Sequence, residues 1–342
     1  MFCGILPPHI LVSIVQNGTP EERRRALATI IFTERLRGER RALAALPMIT
    51  PVGEKRRVVF DAQRKTKLPG RLVRSEGDAP SKDDAVEEAY DGAGLTYDLY
   101  LEVYERNSID GKGMRIDSTV HYDTNYDNAF WNGTQMVYGD GDGQLFTRFT
   151  RSLDVIGHEL THGVTAHEAN LNYQDQSGAL NESFSDVFGS LVKQRALTLT
   201  AEQGDWLIGA ELLMPNVKGE ALRSLKAPGT AYDDPVIGKD PQPATMKDYV
   251  QTPDDDGGVH INSGIPNHAF YLAAVAIGGF GWETAGKIWY ETLTNRLRRD
   301  SDFADCADKT IAAASDLFGK GGREEVAVRE AWRAVGVSSS RS

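Results

Sequence analysis

The chain has 342 residues, of which 40% are hydrophobic and 25% are charged, the balance of an ordinary globular protein. At this length we expect two lobes rather than one hydrophobic core, and no stretch approaches the roughly 20 apolar residues that span a membrane. Acidic residues number 49 and basic residues 38, so the net charge is −11, which argues against nucleic acid and anionic membranes as partners.

The first predicted unit covers residues 1–47. Its apolar start contains Pro7 and Pro8, and no basic residue precedes that stretch, so we expect no conventional signal peptide. Pro20, followed by acidic residues, indicates the start of a helix that runs to about Arg41. We interpret the many arginines of this helix as a solvated face, with a nucleic-acid site as the alternative.

The predicted elements change character along the rest of the chain. Residues 48–151 contain short strand patterns, one helix that starts near Asp83 and a hairpin around Asn132-Gly133. Residues 152–342 follow a helical periodicity. We therefore predict an α+β fold, in which a β-rich N-terminal lobe and a helical C-terminal lobe flank a cleft.

The strongest chemical motif is a pair of histidines, His158 and His162, on a helix predicted from about Ser152 to His167. Positions four apart share one face of a helix, so both imidazoles can reach one metal ion. Glu159 lies beside them as a candidate general base. The alternative is two surface histidines with this spacing by chance, which the neighbouring motifs disfavour.

A hydrolytic zinc site typically has three protein ligands and one open position, so a third ligand is expected from another helix. Glu182 is the candidate, and Asp186, on the same face, would accept a hydrogen bond from a ligand histidine. His260 follows an acidic, glycine-rich segment, where an imidazole braced by an acid can donate to a developing oxyanion. A loop histidine without a role is the alternative for this last residue.

These three clusters, in this order, resemble the thermolysin family of zinc metalloproteases, over about residues 55–340. The resemblance implies a zinc endopeptidase in which Glu159 takes a proton from the attacking water and passes it to the leaving amine. The site residues that it implies are the zinc ligands His158, His162 and Glu182; Asp186 and Asn181, which orient the histidines; Tyr173 and His260, which donate to the oxyanion; Asp255, which braces His260; Asn128, Ala129 and Arg223, which hold the substrate backbone; and Phe146, Phe149, Val155, Ile208, Leu212 and Leu222, which form a hydrophobic pocket. Such a pocket favours cleavage before a bulky apolar residue.

The N-terminal unit is similar to the short propeptide of protealysin-like precursors, through the element Leu6-Pro7-Pro8-His9-Ile10. This similarity implies a zymogen whose propeptide packs on or near the cleft and is cut between about Arg40 and Lys55. A folding appendage without an inhibitory role is the alternative. We expect Cys3 to be an idle cysteine, although a thiolate there could block the zinc.

The chain departs from the family at the double calcium site that its members often carry. Asp154 and Asp205 are present, but Lys193, Leu207 and Ala210 stand where acids are expected. Calcium requires six to eight oxygen ligands. We therefore expect one zinc ion and no double calcium site, with a lysine ammonium in place of the cation.

Three other functions are less consistent with the sequence. An exopeptidase needs a motif that anchors a free substrate terminus, and a peptide-binding pseudo-enzyme would have lost Glu159, His260 or a ligand. A structural zinc module typically uses four ligands that include cysteine. The expected partners are protein and peptide substrates and the chain's own propeptide. Family association predicts an extracellular enzyme, with the cytoplasm as the alternative because we expect no conventional signal peptide. The two cysteines leave the redox compartment open.

Overall fold

The computed structural model describes residues 4–39 and 53–338, with side chains for all of these except 34–39. The helices are α1 Pro8–Asn17, α2 Pro20–Glu39, α3 Asp84–Tyr104, α4 Leu153–His167, α5 Asp175–Ala196, α6 Asp255–Asn262, α7 Gly264–Ile277, α8 Ala285–Asn295, α9 Phe303–Phe318 and α10 Arg323–Ala334. The strands are β1 Arg57–Asp61, β2 Arg71–Ser75, β3 Ile116–Val120, β4 Ala129–Trp131, β5 Met136–Tyr138, β6 Leu207–Ile208, β7 Arg223–Ser224, β8 Asp233–Asp234 and β9 Gly238–Lys239. No described helix is long and apolar enough to cross a bilayer.

The N-terminal lobe is built on a mixed sheet of five strands in the order β2-β1-β3-β5-β4. Strands β4 and β5 form the predicted hairpin, in which Trp131 pairs with Met136. The Asn132 Oδ1 atom accepts the backbone N–H groups of Thr134 and Gln135, which closes the turn. Helix α3 packs against β1 and β3 and buries the inner face of the sheet.

The C-terminal lobe is helical, and its central helices α4 and α5 pack closely together. A side chain at Gly189 would place its Cβ atom 2.3 Å from the Asp154 carbonyl oxygen, and one at Gly157 would lie 3.0 Å from the Gly189 Cα atom. The two glycines therefore allow the helix backbones to approach each other. This close approach brings the face of α4 that contains His158 and His162 against the face of α5 that contains Glu182. The predicted α+β fold of two lobes is confirmed.

The N-terminal segment is folded as two helices. Helix α2 starts at Pro20 as predicted, and the side chains and backbone N–H groups of Thr19 and Glu22 bond reciprocally in a capping box. The predicted end of this helix near Arg41 lies outside the described residues. Helix α1 was not among the elements predicted from the sequence. Pro8 in fact occupies the first helical turn, where a missing N–H costs nothing.

Candidate active site

The predicted metal ligands come together between α4 and α5. The Nε2 atoms of His158 and His162 lie 3.0 Å apart, and each lies 3.5 Å from an oxygen of Glu182. All three side chains are buried. Within the described part of the chain, this is the group of at least three histidine, cysteine or carboxylate side chains whose ligand atoms converge to within 4.8 Å.

The partners of the two imidazoles fix how the rings face this centre. The Nδ1 atom of His158 lies 2.8 Å from Asp186 Oδ1, and that of His162 lies 2.8 Å from Asn181 Oδ1. Both partners are acceptors, so each ring carries its proton on Nδ1 and directs the Nε2 lone pair at the centre. Asp186 and Asn181 therefore occupy the orienting positions predicted for them.

The arrangement fits a zinc ion. Ligand atoms about 2.0–2.1 Å from a tetrahedral zinc lie roughly 3.3–3.5 Å from one another, close to the observed separations. Two imidazole lone pairs that face each other repel unless a cation lies between them. Burial opposes ionisation of Glu182, but positive charges nearby, His260 foremost and Arg223 among them, hold its pKa at about 2, so the carboxylate is charged. Three donors with one negative charge are suited to a divalent cation.

Glu159 lies on the same helix with its carboxylate turned toward the edge of the sheet. Its side chain is buried, and the Oε2 atom accepts the backbone N–H of Trp131 at 2.9 Å. This bond joins α4 to β4 and fixes the carboxylate next to the metal-binding face. The Glu159 carboxylate is therefore held in a defined position by the backbone of β4.

The two predicted oxyanion donors lie on the other side of the centre. The Tyr173 hydroxyl donates to Glu182 Oε1 and lies 3.3 Å from His260 Nε2. Asp255 accepts from both His260 Nδ1, at 2.6 Å, and the His260 backbone N–H, at 2.9 Å. Burial lowers the pKa of His260, but Asp255 and Glu182 outweigh that effect and raise it above its usual value, which favours the imidazolium as a donor.

The two hydrogen bonds from His260 to Asp255 depend on an unusual backbone conformation. The first four residues of α6, from Asp255 to Gly258, have positive φ angles of 55°, 50°, 85° and 75°. Glycine adopts such angles without strain, and a Cβ atom at Gly257 would lie 2.1 Å from Asp175 Oδ1. Gly257 and Gly258 therefore turn the chain so that the Asp255 carboxylate can reach the His260 ring.

Arg223 lies deeper than its predicted role as a ligand of a substrate carbonyl suggests. It is 2% exposed and forms two bonds of 2.8 Å to the oxygens of Asp186, the carboxylate that orients His158. A third donor, Nη1, bonds the carbonyl oxygen of Ile5 at 3.1 Å. Arg223 therefore supports the metal site and also contacts a peptide carbonyl.

That peptide belongs to the N-terminal segment of the chain itself. Gly4 forms an antiparallel bridge with Phe130, and the Ile5 backbone N–H donates to the Ala129 carbonyl at 3.2 Å. The Leu6 backbone N–H donates to Asn128 Oδ1 at 3.0 Å. All three residues predicted to hold a substrate backbone, namely Asn128, Ala129 and Arg223, thus bond the backbone of residues 5 and 6 beside the edge strand β4.

The six predicted pocket residues are all buried in the main hydrophobic core. The Phe146 and Phe149 rings lie 6.1 Å apart, and the Leu222 backbone N–H donates to the Ile208 carbonyl across the β6–β7 pair. Ile5 and Leu6 are buried in the same core cluster. The six predicted pocket residues in this cluster are Phe146, Phe149, Val155, Ile208, Leu212 and Leu222.

Sequence reasoning missed three groups that support the site. The Asn267 side chain donates to Asp186 Oδ2 at 2.9 Å, and the Gln242 side chain donates to the His260 carbonyl at 2.8 Å. The third is the Trp131 backbone N–H that binds Glu159. Asn267 could have been noticed as an amide within the apolar α7 pattern, whereas the other two give no signal in the sequence.

Comparison with known proteins gives a consistent result. Residues 52–166 match the thermolysin metallopeptidase catalytic domain, and residues 169–337 match the thermolysin metallopeptidase alpha-helical domain. An extracellular metalloprotease from Pectobacterium carotovorum is 51% identical over 98% of this chain and 96% of its own length, and protease PrtS from Photorhabdus is 47% identical over 98% and 92%. A solved structure, the precursor of protealysin from Serratia proteamaculans, matches with a TM-score of 0.91 and 51% identity over 98% of this chain and 100% of that one.

Proposed function

Since this chain belongs to the thermolysin family of metallopeptidases, we propose that it is a zinc endopeptidase made as a precursor that blocks its own substrate site. One observation carries the proposal. Residues 5 and 6 bond the residues expected to hold substrate, one of which, Arg223, also binds the Asp186 carboxylate that orients His158. The edge of β4 would receive a substrate strand once residues 1–47 are removed.

The catalytic roles follow from the positions of the side chains. His158, His162 and Glu182 would hold the zinc ion, which when bound polarises the scissile carbonyl and makes water more acidic. Glu159 accepts the proton of the attacking water and delivers it to the leaving nitrogen, because its carboxylate is fixed beside the metal-binding face. Tyr173 and His260 donate to the oxyanion, and Asp255 holds His260 in place.

The substrate would be bound as a strand antiparallel to β4. The Ala129 carbonyl accepts a substrate N–H, Asn128 bonds the backbone at the next position, and Arg223 donates to a carbonyl, as each does with the N-terminal segment. The apolar cluster around Phe149 and Leu222 would take the side chain that follows the scissile bond. We therefore propose a preference for cleavage before bulky hydrophobic residues.

The precursor would consist of three parts, a propeptide of residues 1–47, a β-rich lobe of residues 48–151 and a helical lobe of residues 152–342. The expected cut between about Arg40 and Lys55 falls mostly outside the described residues, and so does Cys3, which we expect to be an idle cysteine. The relative from Pectobacterium is named an extracellular metalloprotease. We propose an extracellular role for this chain too.

We further propose that the enzyme takes one zinc ion and no double calcium site. The Lys193 Nζ atom lies 2.6 Å from Asp154 Oδ2, 3.1 Å from Asp205 Oδ2 and 2.9 Å from the Leu207 carbonyl oxygen. These oxygens surround an ammonium group. The acids near Lys193 raise its pKa well above the usual range even though burial lowers it, so the cation is permanent.

The test uses the purified full-length protein, incubated with a denatured protein substrate with and without a zinc chelator. Mass spectrometry follows both the substrate fragments and the N-terminus of the enzyme. We expect cleavage before bulky apolar residues that appears as residues 1 to about 50 are lost and that stops with the chelator. A Glu159→Gln protein is the matched control, and it should bind zinc but leave both itself and the substrate intact. An uncut substrate after the N-terminus is removed from zinc-loaded protein would instead indicate a peptide-binding pseudo-enzyme.

A further inference from the structure

His9 is a partly buried titratable group to which the proposed mechanism gives no role. It lies in the first turn of α1, directly after the Pro-Pro element, and its Nε2 atom lies 2.8 Å from the hydroxyl of Tyr232 in the helical lobe. Burial raises the pKa of Tyr232, so its hydroxyl stays protonated and shares one hydrogen bond with the Nε2 atom. The other ring nitrogen, Nδ1, is buried with no hydrogen-bond partner among the described residues.

The charges around His9 give an added proton little compensation. Helix α1 itself contains no acidic or basic residue other than this histidine. Arg223 on β7 and His260 on α6 face the ring with positive charge, and Asp255 is the acid in range. That acid is already bonded to His260 at 2.6 Å. Asp240, next to Tyr232, accepts the backbone N–H groups of Gly229 and Ala231.

These surroundings lower the pKa of His9. Burial is the largest cause, since an imidazolium loses its hydration there, and His260 and Arg223 act in the same direction while Asp255 opposes them. The result is a pKa of about 4 against an ordinary value of 6.5. His9 is thus neutral at neutral pH while the N-terminal segment is bound to the catalytic lobes, a state that we call seated.

We propose that His9 makes the seating of the N-terminal segment on the catalytic lobes depend on pH, with the segment held at neutral pH and released on acidification. A second proton on the ring places a charge in a site that offers one hydroxyl partner and no available carboxylate. Release of α1 would also withdraw Ile5 and Leu6 from the edge of β4. A gain of activity on release would depend on the proposed autoinhibition. The pH dependence of the seating equilibrium does not depend on it.

The direction of the effect follows from proton linkage. The seated state has the lower pKa, so the released state binds the proton more tightly. The contribution of His9 to seating is complete above about pH 6.5 and is lost as the pH falls toward about 4. With these two values, the seating constant falls about 30-fold between about pH 7.5 and pH 5.0.

The experiment measures amide hydrogen exchange of residues 5–17 in zinc-loaded, full-length Glu159→Gln protein, in which self-processing is blocked. Protection is compared at neutral and mildly acidic pH after correction for intrinsic exchange. We expect it to fall about 30-fold. His9→Gln and His9→Phe, which cannot take up a proton, should show less than about a threefold change. His167→Gln, which removes an exposed histidine at the end of α4, should behave like the parent.

The proposal is overturned if the parent shows no fall, or if the His9 variants show the same fall as the parent. Loss of zinc at low pH would affect all four proteins alike, so the difference between them isolates His9. A separate assay on the protein with Glu159 intact asks whether acid exposure speeds processing. An exchange result as expected, with full activity before processing, would support the seating switch and contradict the proposed inhibition.

Discussion

Helices α4 and α5 carry two buried charged clusters that are built from similar parts and differ in one respect. In the metal cluster, His158, His162 and Glu182 converge with no cationic side chain among the three. One turn earlier on α4, Asp154 is fully buried, and the ammonium of Lys193 on α5 lies 2.6 Å from it. The first cluster needs a cation from outside, whereas the second contains its own.

The difference shows how one residue can decide whether a cluster is a metal site. Buried carboxylates are stable when a positive charge neutralises them, and either a metal ion or an ammonium can do so. A lysine cannot leave the protein, so the second cluster should not respond to chelators. The metal cluster should lose its cation, and with it activity, when chelators compete for zinc.

The largest expected effect is a loss of catalytic activity in Glu159→Gln without a loss of zinc affinity. In Glu159→Gln the side chain keeps an oxygen for the Trp131 N–H but no longer accepts a proton. We expect kcat/KM on a peptide substrate to fall about 10²–10⁴-fold, with zinc content by mass spectrometry unchanged. Activity close to that of the parent would refute the assigned role of Glu159.

The second prediction breaks the lysine cluster. Lys193→Met leaves the Asp154 carboxylate buried without its ammonium, since the oxygens around it cannot gather a calcium ion without further acids. We expect the free energy of unfolding in urea to fall by about 3–5 kcal/mol, with the zinc affinity retained. Lys239→Met is the matched control, because Lys239 and its partner Asp233 are both exposed, and it should change stability by less than about 0.5 kcal/mol.

A smaller effect is expected from a residue that orients a zinc ligand. Asn181→Ala removes the acceptor that holds the His162 Nδ1–H. We expect zinc affinity, measured by competition with a chelator of known strength, to fall about 10–100-fold. Asn295→Ala, which alters an exposed amide on α8, should leave the affinity as it is. An unchanged affinity in Asn181→Ala would mean that His162 is oriented by other contacts.

The smallest expected effect is that of calcium. A chelator that removes calcium but spares zinc should shift the melting temperature by less than about 1 °C, because the ammonium of Lys193 already balances Asp154 and Asp205. The same experiment on Lys193→Glu, which restores an acid, should reveal added stability when calcium is present. A steep loss of stability in the parent would contradict the proposed absence of the calcium site.

Local sequence patterns predicted those helices and turns whose start, turn or spacing residues lie within the element itself. The start of α2 at Pro20, the Asn132-Gly133 hairpin and the zinc helix were all found in this way, and the structure gives them close to the predicted bounds. Helix α1 was not among the predicted elements, although proline is compatible with a first helical turn. Its stability comes from Ile10, Leu11 and Ile14, which are buried against the rest of the protein.

The sequence by itself determined which side chains can bind a metal, because positions four apart on one helix must share a face whatever the rest of the fold does. It could not determine what completes the site. Asn267, Arg223 and the Trp131 N–H reach the site from segments distant in the chain, and only tertiary packing brings them within bonding distance. Only the tertiary structure, likewise, places residues 4–6 on the edge of β4 and His9 beside Tyr232, since both depend on contacts between segments that are distant in the sequence.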